Sequence, residues 1–432
     1  MRSFTPLLTL VALLIVSLFA LPAQAQPAAT NAVPGELIVR LQPEHQLSNL
    51  ATPIGVAAPA LVNAMRTLGV AAAEPLGADS YLLRYRSDLA PELAAAQLYG
   101  TPGMVYAEPN YYRQLYRTPN DSVINQQWAL RNIQAYEAWD ITTGGSIVIA
   151  VLDTGVDSAH PDLKGKVLPG YNAYSGGDNS DDDNGHGTAV SGLIAANTDN
   201  NAGVAGLCWG CRILPVKVLR ANGGGTDAAV AQGIRWAVDN GANVLNLSLG
   251  GTDDSQVIRD AINYAVGRGI LVVAASGNEQ QEGNAPSYPA AYPDVLAVGA
   301  TGNTDIVTGF SNTGDYVDIS APGVGLWTTL PGGGYGPPNG TSFSSPYVAA
   351  AAGLVLTLRS DLGFFDVSCV LMASADDKGA PGKDPEYGYG RLNALRALQL
   401  AQTYNGCPLT APVPDPLPQP APEPQPAPQP AP

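Results

Sequence analysis

The sequence predicts an α/β protein with a doubly wound, mostly parallel sheet and helices on both faces, preceded by a small α+β unit. Three observations carry this. Short runs of β-branched and apolar residues recur at 146–153 (SIVIAVLD), 212–219 (RILPVKVL), 243–250 (NVLNLSLG), 269–277 (GILVVAASG) and 295–301 (VLAVGAT). Their apolar character is nearly continuous rather than alternating, which is the pattern of strands covered on both faces. Helix-like runs separate them at 186–197, 226–241 and 254–269. Strands alternating with helices imply crossovers and a parallel sheet, and such sheets place their sites beyond the carboxyl ends of the strands.

The other zones follow in order. Residues 1–25 read as an export signal: Arg2, an apolar stretch at 7–21 and a small-x-small site at Ala23-Gln24-Ala25. No later segment is expected to cross a bilayer. Residues 34–112 read as the α+β unit. Strand-like runs at 35–41, 80–86 and 104–110 accompany helix-like runs at 59–70 and 89–100. Residues 113–127 read as an exposed link and 128–407 as the large domain. In 408–432, Pro stands at every second position from 412 onward, which predicts an extended polyproline II segment.

A chain of 432 residues buries a large core. Its net charge of −16 argues against nucleic acid or an anionic membrane surface as a partner. A monomer is expected. Export permits disulfides. The four cysteines allow three pairings, and Cys208–Cys211 with Cys369–Cys407 is the expected one. A redox-active or zinc-binding C-x-x-C is the alternative, but no second C-x-x-C or His pair accompanies it.

The stretch NGTSFSSP at 339–346 holds Ser342, Ser344 and Ser345 ahead of an Ala-rich, helix-like run. A serine nucleophile needs a base, and the chain has three histidines. His45 lies in the small unit and His160 precedes Pro161. His186 stands between Gly185 and Gly187 at a helix start, where glycines let another group approach the ring. Asp153 ends an apolar strand, a place suited to an acid that orients an imidazole.

The motifs VLDTGVD (151–157), NGHGT (184–188) and NGTSFSSP, in that order, resemble the active-site motifs of the subtilisin-like serine proteases, and of thermitase-type members in particular. Blocks between them, such as LNLSLGG, AASGNE and FSNTGDYVDISAPG, extend the likeness over about 121–400. The resemblance implies a secreted serine endopeptidase, made as a zymogen, that hydrolyses peptide bonds through an acyl-enzyme. Asp153 would orient the base His186, Ser342 would be the nucleophile, and Asn278 would complete the oxyanion hole. Leu219, Gly223 and Gly225 would hold one side of an extended substrate. Ser248, Leu249 and Gly250 would hold the other, with Ala275 and Gly277 at the pocket floor. A cis bond is expected at Tyr288-Pro289.

The resemblance further implies structural calcium, held by Asp121, Asp162, Asn200 and the carbonyls of Ala202 and Val204, with the acidic loop 178–185 as a second candidate. Residues 34–112 would be an inhibitory propeptide, cut off within the link. Two departures stand out: Ala189 replaces a histidine usual in the family, and Phe343 replaces a methionine common after the nucleophile. The alternative is a catalytically idle binding or adhesion module. An α/β-hydrolase esterase is disfavoured, since no G-x-S-x-G elbow is present and the order of Asp, His and Ser differs.

Overall fold

The computed structural model describes residues 32–45, 47, 59–112 and 118–409. The expected leader, residues 113–117 of the link and residues 410–432 of the Pro-rich tail lie outside them. The chain divides into two compact units, 1–114 and 115–432.

The first unit contains β1 (Ala32–Leu41), α1 (Pro59–Thr67), β2 (Val70–Gly77), β3 (Ser80–Tyr85), α2 (Pro91–Leu98) and β4 (Met104–Tyr111). Its sheet has the order β2-β3-β1-β4 and is antiparallel. Leu37, Val39 and Leu41 alternate along β1 and join Leu61, Met65, Leu83 and Leu98 in a core of the unit's own. Strand β2 was not predicted, because the Ala-rich VAAAEPLG continues the composition of the helix before it. Gly69, at φ +68°, takes a left-handed conformation that ends the helical path. Pro75 then sits on β2, which is an edge strand and can lack an N–H.

The second unit opens with α3 (Trp128–Asn132) and α4 (Ala135–Ile141). Then come β5 (Val148–Asp153), β6 (Tyr171–Asn172), α5 (His186–Ala195), β7 (Arg212–Lys217), α6 (Asp227–Asp239), β8 (Val244–Leu247), α7 (Gln256–Val266), β9 (Leu271–Ala275), β10 (Leu296–Thr301) and β11 (Ile319–Pro322). A two-stranded ribbon, β12 (Thr328–Leu330) with β13 (Gly334–Gly336), precedes α8 (Thr341–Leu358), α9 (Phe364–Ala373) and α10 (Ala394–Thr403).

The main sheet has the order β11-β10-β9-β8-β5-β7-β6, and every pairing in it is parallel. Successive side chains point to opposite faces. Ile149, Val151, Leu271 and Val273 therefore enter one core with α5 and α8. Ala150, Leu152, Val272 and Ala274 enter the other, with α6 and α7. From β5 the chain first builds outward through β7 and then returns to build β8 to β11 on the other side. That reversal between β5 and β8 is a topological switch point, where a crevice opens at the strand ends.

Helix α8 has the length and hydropathy of a membrane span, contrary to the expectation that no segment after the leader would. It is the core helix of this unit, with 78% of its residues buried. Cys208–Cys211 and Cys369–Cys407 are paired as expected, and Tyr288-Pro289 is cis.

Candidate active site

The crevice collects the residues singled out in the sequence. Asp153, the last residue of β5, is fully buried. Its Oδ1 accepts the Thr154 N–H at 2.7 Å. Its carboxylate also faces His186 Nδ1, at 2.8 Å from Oδ1 and 2.9 Å from Oδ2. An ionised carboxylate only accepts, so Nδ1 carries the proton and Nε2 of the neutral ring is the basic nitrogen.

Close packing permits this approach. A Cβ on Gly187 would lie 2.1 Å from the Gly155 carbonyl oxygen and 3.0 Å from the Asp153 Cβ, so only glycine fits beside the strand end. Burial lowers the basicity of His186. The Asp153 charge and hydrogen bond, with the more distant Asp182, more than offset that and hold it above the usual histidine value.

The start of α5 is fixed by a clamp that the sequence did not reveal. Asp182 accepts the N–H groups of Asn184, Gly185 and Thr188 and the hydroxyls of Thr154 and Thr188, at 2.5 to 3.0 Å. Burial opposes the charge of Asp182, but these donors outweigh it and depress its pKa. Thr154 Oγ1 in turn accepts the Gly187 N–H at 3.0 Å. The neighbouring Asp183 pairs with Lys217 Nζ at 2.6 Å. Of the four aspartates in the acidic loop 178–185, Asp182 and Asp183 are thus engaged by protein groups.

Of the three serines, Ser344 and Ser345 are buried and occupied. Ser344 Oγ donates to the Pro322 carbonyl at 3.1 Å, and Ser345 Oγ to Asn246 Oδ1 at 2.7 Å. Ser342 is half-buried in the first turn of α8. Its N–H lies where a helix has no internal acceptor for it. Pro346 lacks the N–H that would bond the carbonyl four residues back. That carbonyl belongs to Ser342, and it accepts Ser248 Oγ at 2.7 Å instead. The strand end after β8 is thereby tied to the serine. Ser342 Oγ donates to the Ser248 carbonyl at 3.2 Å, so in this rotamer it is turned toward Ser248. The Phe343 ring packs against the His186 ring, with centroids 5.3 Å apart, which puts the imidazole beside the start of α8.

Asn278 follows β9. Its Oδ1 accepts the Thr341 N–H at 2.9 Å and the Thr341 hydroxyl at 3.0 Å. A backbone N–H can only donate, so the amide oxygen is pinned and the NH2 group is left to face outward.

Leu219 and Gly225 bridge across a short antiparallel turn containing Gly223 at φ +79°. A Cβ on Gly225 would lie 2.6 Å from the Leu219 side chain. With Ser248, Leu249 and Gly250 they line a cavity of about 440 Å³ that reaches His186. Ala275, the last residue of β9, and Gly277, which precedes Asn278, were expected as a pocket floor but do not line this cavity. His160 is turned elsewhere. Its Nδ1 accepts the Asp162 N–H at 3.1 Å and its Nε2 lies 3.0 Å from the Gly334 carbonyl oxygen.

The expected calcium ligands also meet. Asp162 Oδ1 accepts the Asn200 amide at 2.8 Å and Oδ2 accepts the Val204 N–H at 2.9 Å. Asn200 Oδ1 accepts the Ala202 N–H at 2.8 Å. Asp121 Oδ2 accepts the Asp199 N–H at 2.9 Å, and its buried Oδ1 has no partner. Burial, together with the Asp162 charge, raises the Asp121 pKa. Two buried carboxylates without a basic partner and one orphaned oxygen fit a hard cation. Among the described residues no group of three or more His, Cys, Asp or Glu forms a metal cluster, so amide and carbonyl oxygens would have to complete any shell.

Comparison with known proteins agrees with this geometry. The model of the subtilase family matches residues 144–390. A thermophilic serine proteinase from Bacillus sp. strain AK1 is 40% identical over 311 residues, 71% of this chain and 76% of that protein. Thermitase from Thermoactinomyces vulgaris is 41% identical over 284 residues, 65% of this chain and 99% of its own length. A solved protease structure from Pseudoalteromonas arctica superposes with a TM-score of 0.60 at 30% identity, covering 66% of this chain and all of that one. The parallel sheet, the acid and imidazole at its switch point and the matched sequence lead to one conclusion: this chain belongs to the subtilase family of serine endopeptidases.

Proposed function

We propose that Asp153, His186 and Ser342 form the catalytic triad of a secreted, self-processing enzyme. The observation that carries this is the Asp153–His186 pair at 2.8 Å, set beside the start of α8 that bears Ser342. Rotation about the Ser342 side chain exchanges the Ser248 carbonyl for His186 Nε2 as acceptor. Such bonds are often unformed without substrate.

In the proposed reaction Ser342 Oγ attacks the scissile carbonyl and His186 Nε2 takes the hydroxyl proton. Asp153 holds the resulting imidazolium. The oxyanion receives the free Asn278 NH2 and the Ser342 N–H, both near the positive end of α8. His186 then gives its proton to the departing amine as the C–N bond breaks. Water, deprotonated by His186, cleaves the Ser342 ester and releases the acid product. Leu219, Gly223, Gly225, Ser248, Leu249 and Gly250 hold the substrate extended, as an added strand, and Ala275 and Gly277 border the residue before the cut.

Residues 34–112 act in this reading as an inhibitory propeptide, which suits a unit with a core of its own, and 113–127 contain the processing site. Residues 128–407 are the mature peptidase, preceded in synthesis by a leader at 1–25 and followed by a Pro-rich tail at 408–432. Two disulfides suit an oxidising compartment. Two relatives, both from Bacillus subtilis, are named a cell wall-associated protease and a minor extracellular protease. Asp121, Asp162, Asn200 and the carbonyls of Ala202 and Val204 hold a calcium ion, which would neutralise the buried carboxylates and brace the 199–204 loop. Chelation should then lower the melting temperature and speed autolysis, and an unchanged melting curve would remove the ion from the account.

The test is to sequence the N-terminus of the secreted protein and map its peptide cleavages beside Ser342→Ala. The unaltered protein should start within or just after the link and cut peptides. The variant should keep residues 34–112 attached and cut nothing. A variant that matures normally and digests peptides defeats the proposal.

A further inference from the structure

We propose that the cavity beside His186 selects a lysine or arginine side chain of the polypeptide substrate, and that Asp227 and Asp253 make this selection. The proposal rests on the reading of the crevice as a peptide-binding site.

The cavity has an apolar body and an acidic rim. Leu219, Val230, Leu249, Ile258 and Tyr288 supply the apolar surface. Apart from His186, the titratable acids and bases among the lining residues are Asp227, Asp253 and the Tyr288 phenol, with no lysine or arginine. Asp227 opens α6 directly after its N-cap Thr226, and Asp253 lies in the loop before α7. Both are exposed, and neither carboxylate enters an ion pair or side-chain hydrogen bond among the described residues.

Nearby charges are already spent. Asp254 pairs with Arg259 and also accepts the Tyr292 hydroxyl at 3.1 Å. Arg220, on the turn that forms one wall, lies over the Tyr174 ring at 4.5 Å from its centroid and does not line the cavity.

A long cationic side chain matches both parts of this site. Its methylene stem packs along apolar surface while its charged end stays in water beside two carboxylates. Two rival explanations make different predictions. Asp227 also suits the dipole of α6, but that role changes stability and not selectivity, and it does not cover Asp253. The overall charge of −16 attracts cationic peptides in general. General attraction would favour basic residues at every substrate position, whereas this cavity favours them at one.

The experiment profiles the protein produced from the full chain against a positional-scanning peptide library, then against matched peptides carrying Lys, Leu or Glu at the selected position. Basic residues should be enriched at a single position. The Lys-to-Glu ratio of kcat/KM should be about tenfold in low salt, as expected for exposed charge pairs, and should shrink in 1 M salt. It should fall to within about twofold in the Asp227→Asn/Asp253→Asn double variant. Asp253→Asn alone, outside any helix, should lower it roughly threefold and serves if the double variant folds poorly. A flat profile, enrichment at all positions alike, or a ratio unchanged in these variants overturns the proposal. Failure of the underlying reading looks different: Ser342→Ala would cleave the Leu peptide as fast as the unaltered protein, which overturns both.

Discussion

The two halves of the crevice are built differently. On the β5–α5 side the carboxylates are committed before substrate arrives, and only the basic nitrogen of His186 is left over. Asp153 is buried and bonded to both Thr154 and His186, and Asp182 gathers five donors around the start of α5. On the α8 side the framework is equally tight, through Ser248 and Thr341, but the groups proposed to react are left loose. Ser342 Oγ is bonded to a carbonyl it can leave, and the Asn278 NH2 is unused while its oxygen is pinned. The contrast teaches that the imidazole of His186 is set in its tautomer and orientation beforehand. The proposed nucleophile and oxyanion donor are positioned by backbone and free to meet a substrate.

Breaking the committed half should cost most. Asp153→Asn leaves the shape but removes the charge that fixes the His186 tautomer, so kcat should drop roughly 10⁴-fold, as in other serine proteases. Steady-state kinetics on a chromogenic peptide checks this, and a loss below tenfold would mean that the buried acid is only structural. On the looser half, Asn278→Leu should lower kcat about 10²–10³-fold with little change in KM. That magnitude is taken from the family relative subtilisin rather than derived from this chain. A loss confined to KM would assign Asn278 to ground-state binding.

The clamp around Asp182 is tested through stability. Asp182→Asn should destabilise by about 1–3 kcal/mol, because several donors lose a charged acceptor. The folded-state pKa of Asp182 is depressed. Its contribution is therefore present above the unfolded value near 3.9 and lost as pH falls through the lower folded value. Urea titrations of both forms should converge toward pH 2, and a gap constant with pH would mean the charge is not what matters.

His186 carries the opposite sign. Its folded pKa is raised, so the charged pair with Asp153 adds stability fully below the unfolded value near 6.5, and this is lost as pH rises through the folded value. In the proposed mechanism activity requires the neutral ring, so the acidic limb of kcat/KM should have its midpoint above about 6.5 and move down in Asp153→Asn. The smallest effect is expected from peroxide. Phe343, not methionine, adjoins Ser342, and the second unit carries only Met372. Exposure that oxidises a Phe343→Met variant to low activity should spare the unaltered protein. Equal loss in both would contradict this.

How far the sequence revealed these parts follows from distance along the chain. Asp153, His186, Asn278 and Ser342, the proposed reactive residues, were legible as candidates because each sits in a short local motif at a strand end or helix start. The five main strands were legible because burial on both faces leaves a continuous apolar run. Contacts between distant segments were not. Ser248 meets Ser342 across 94 positions. Thr154 meets Asp182 across 28, so the acidic run at 181–183 gave no sign that one acid braces the start of α5 and the next holds Lys217. Strand β2 was hidden by alanines.

The account stands or falls on whether Ser342 is made nucleophilic by His186. The direct measurement is covalent labelling of the purified protein by a fluorophosphonate, followed by peptide mapping. The account predicts one labelled residue, Ser342, with labelling abolished in Ser342→Ala and strongly slowed in His186→Ala. No labelling of the folded, processed protein, or labelling that persists without Ser342, would contradict it and return the crevice to the status of an idle binding site.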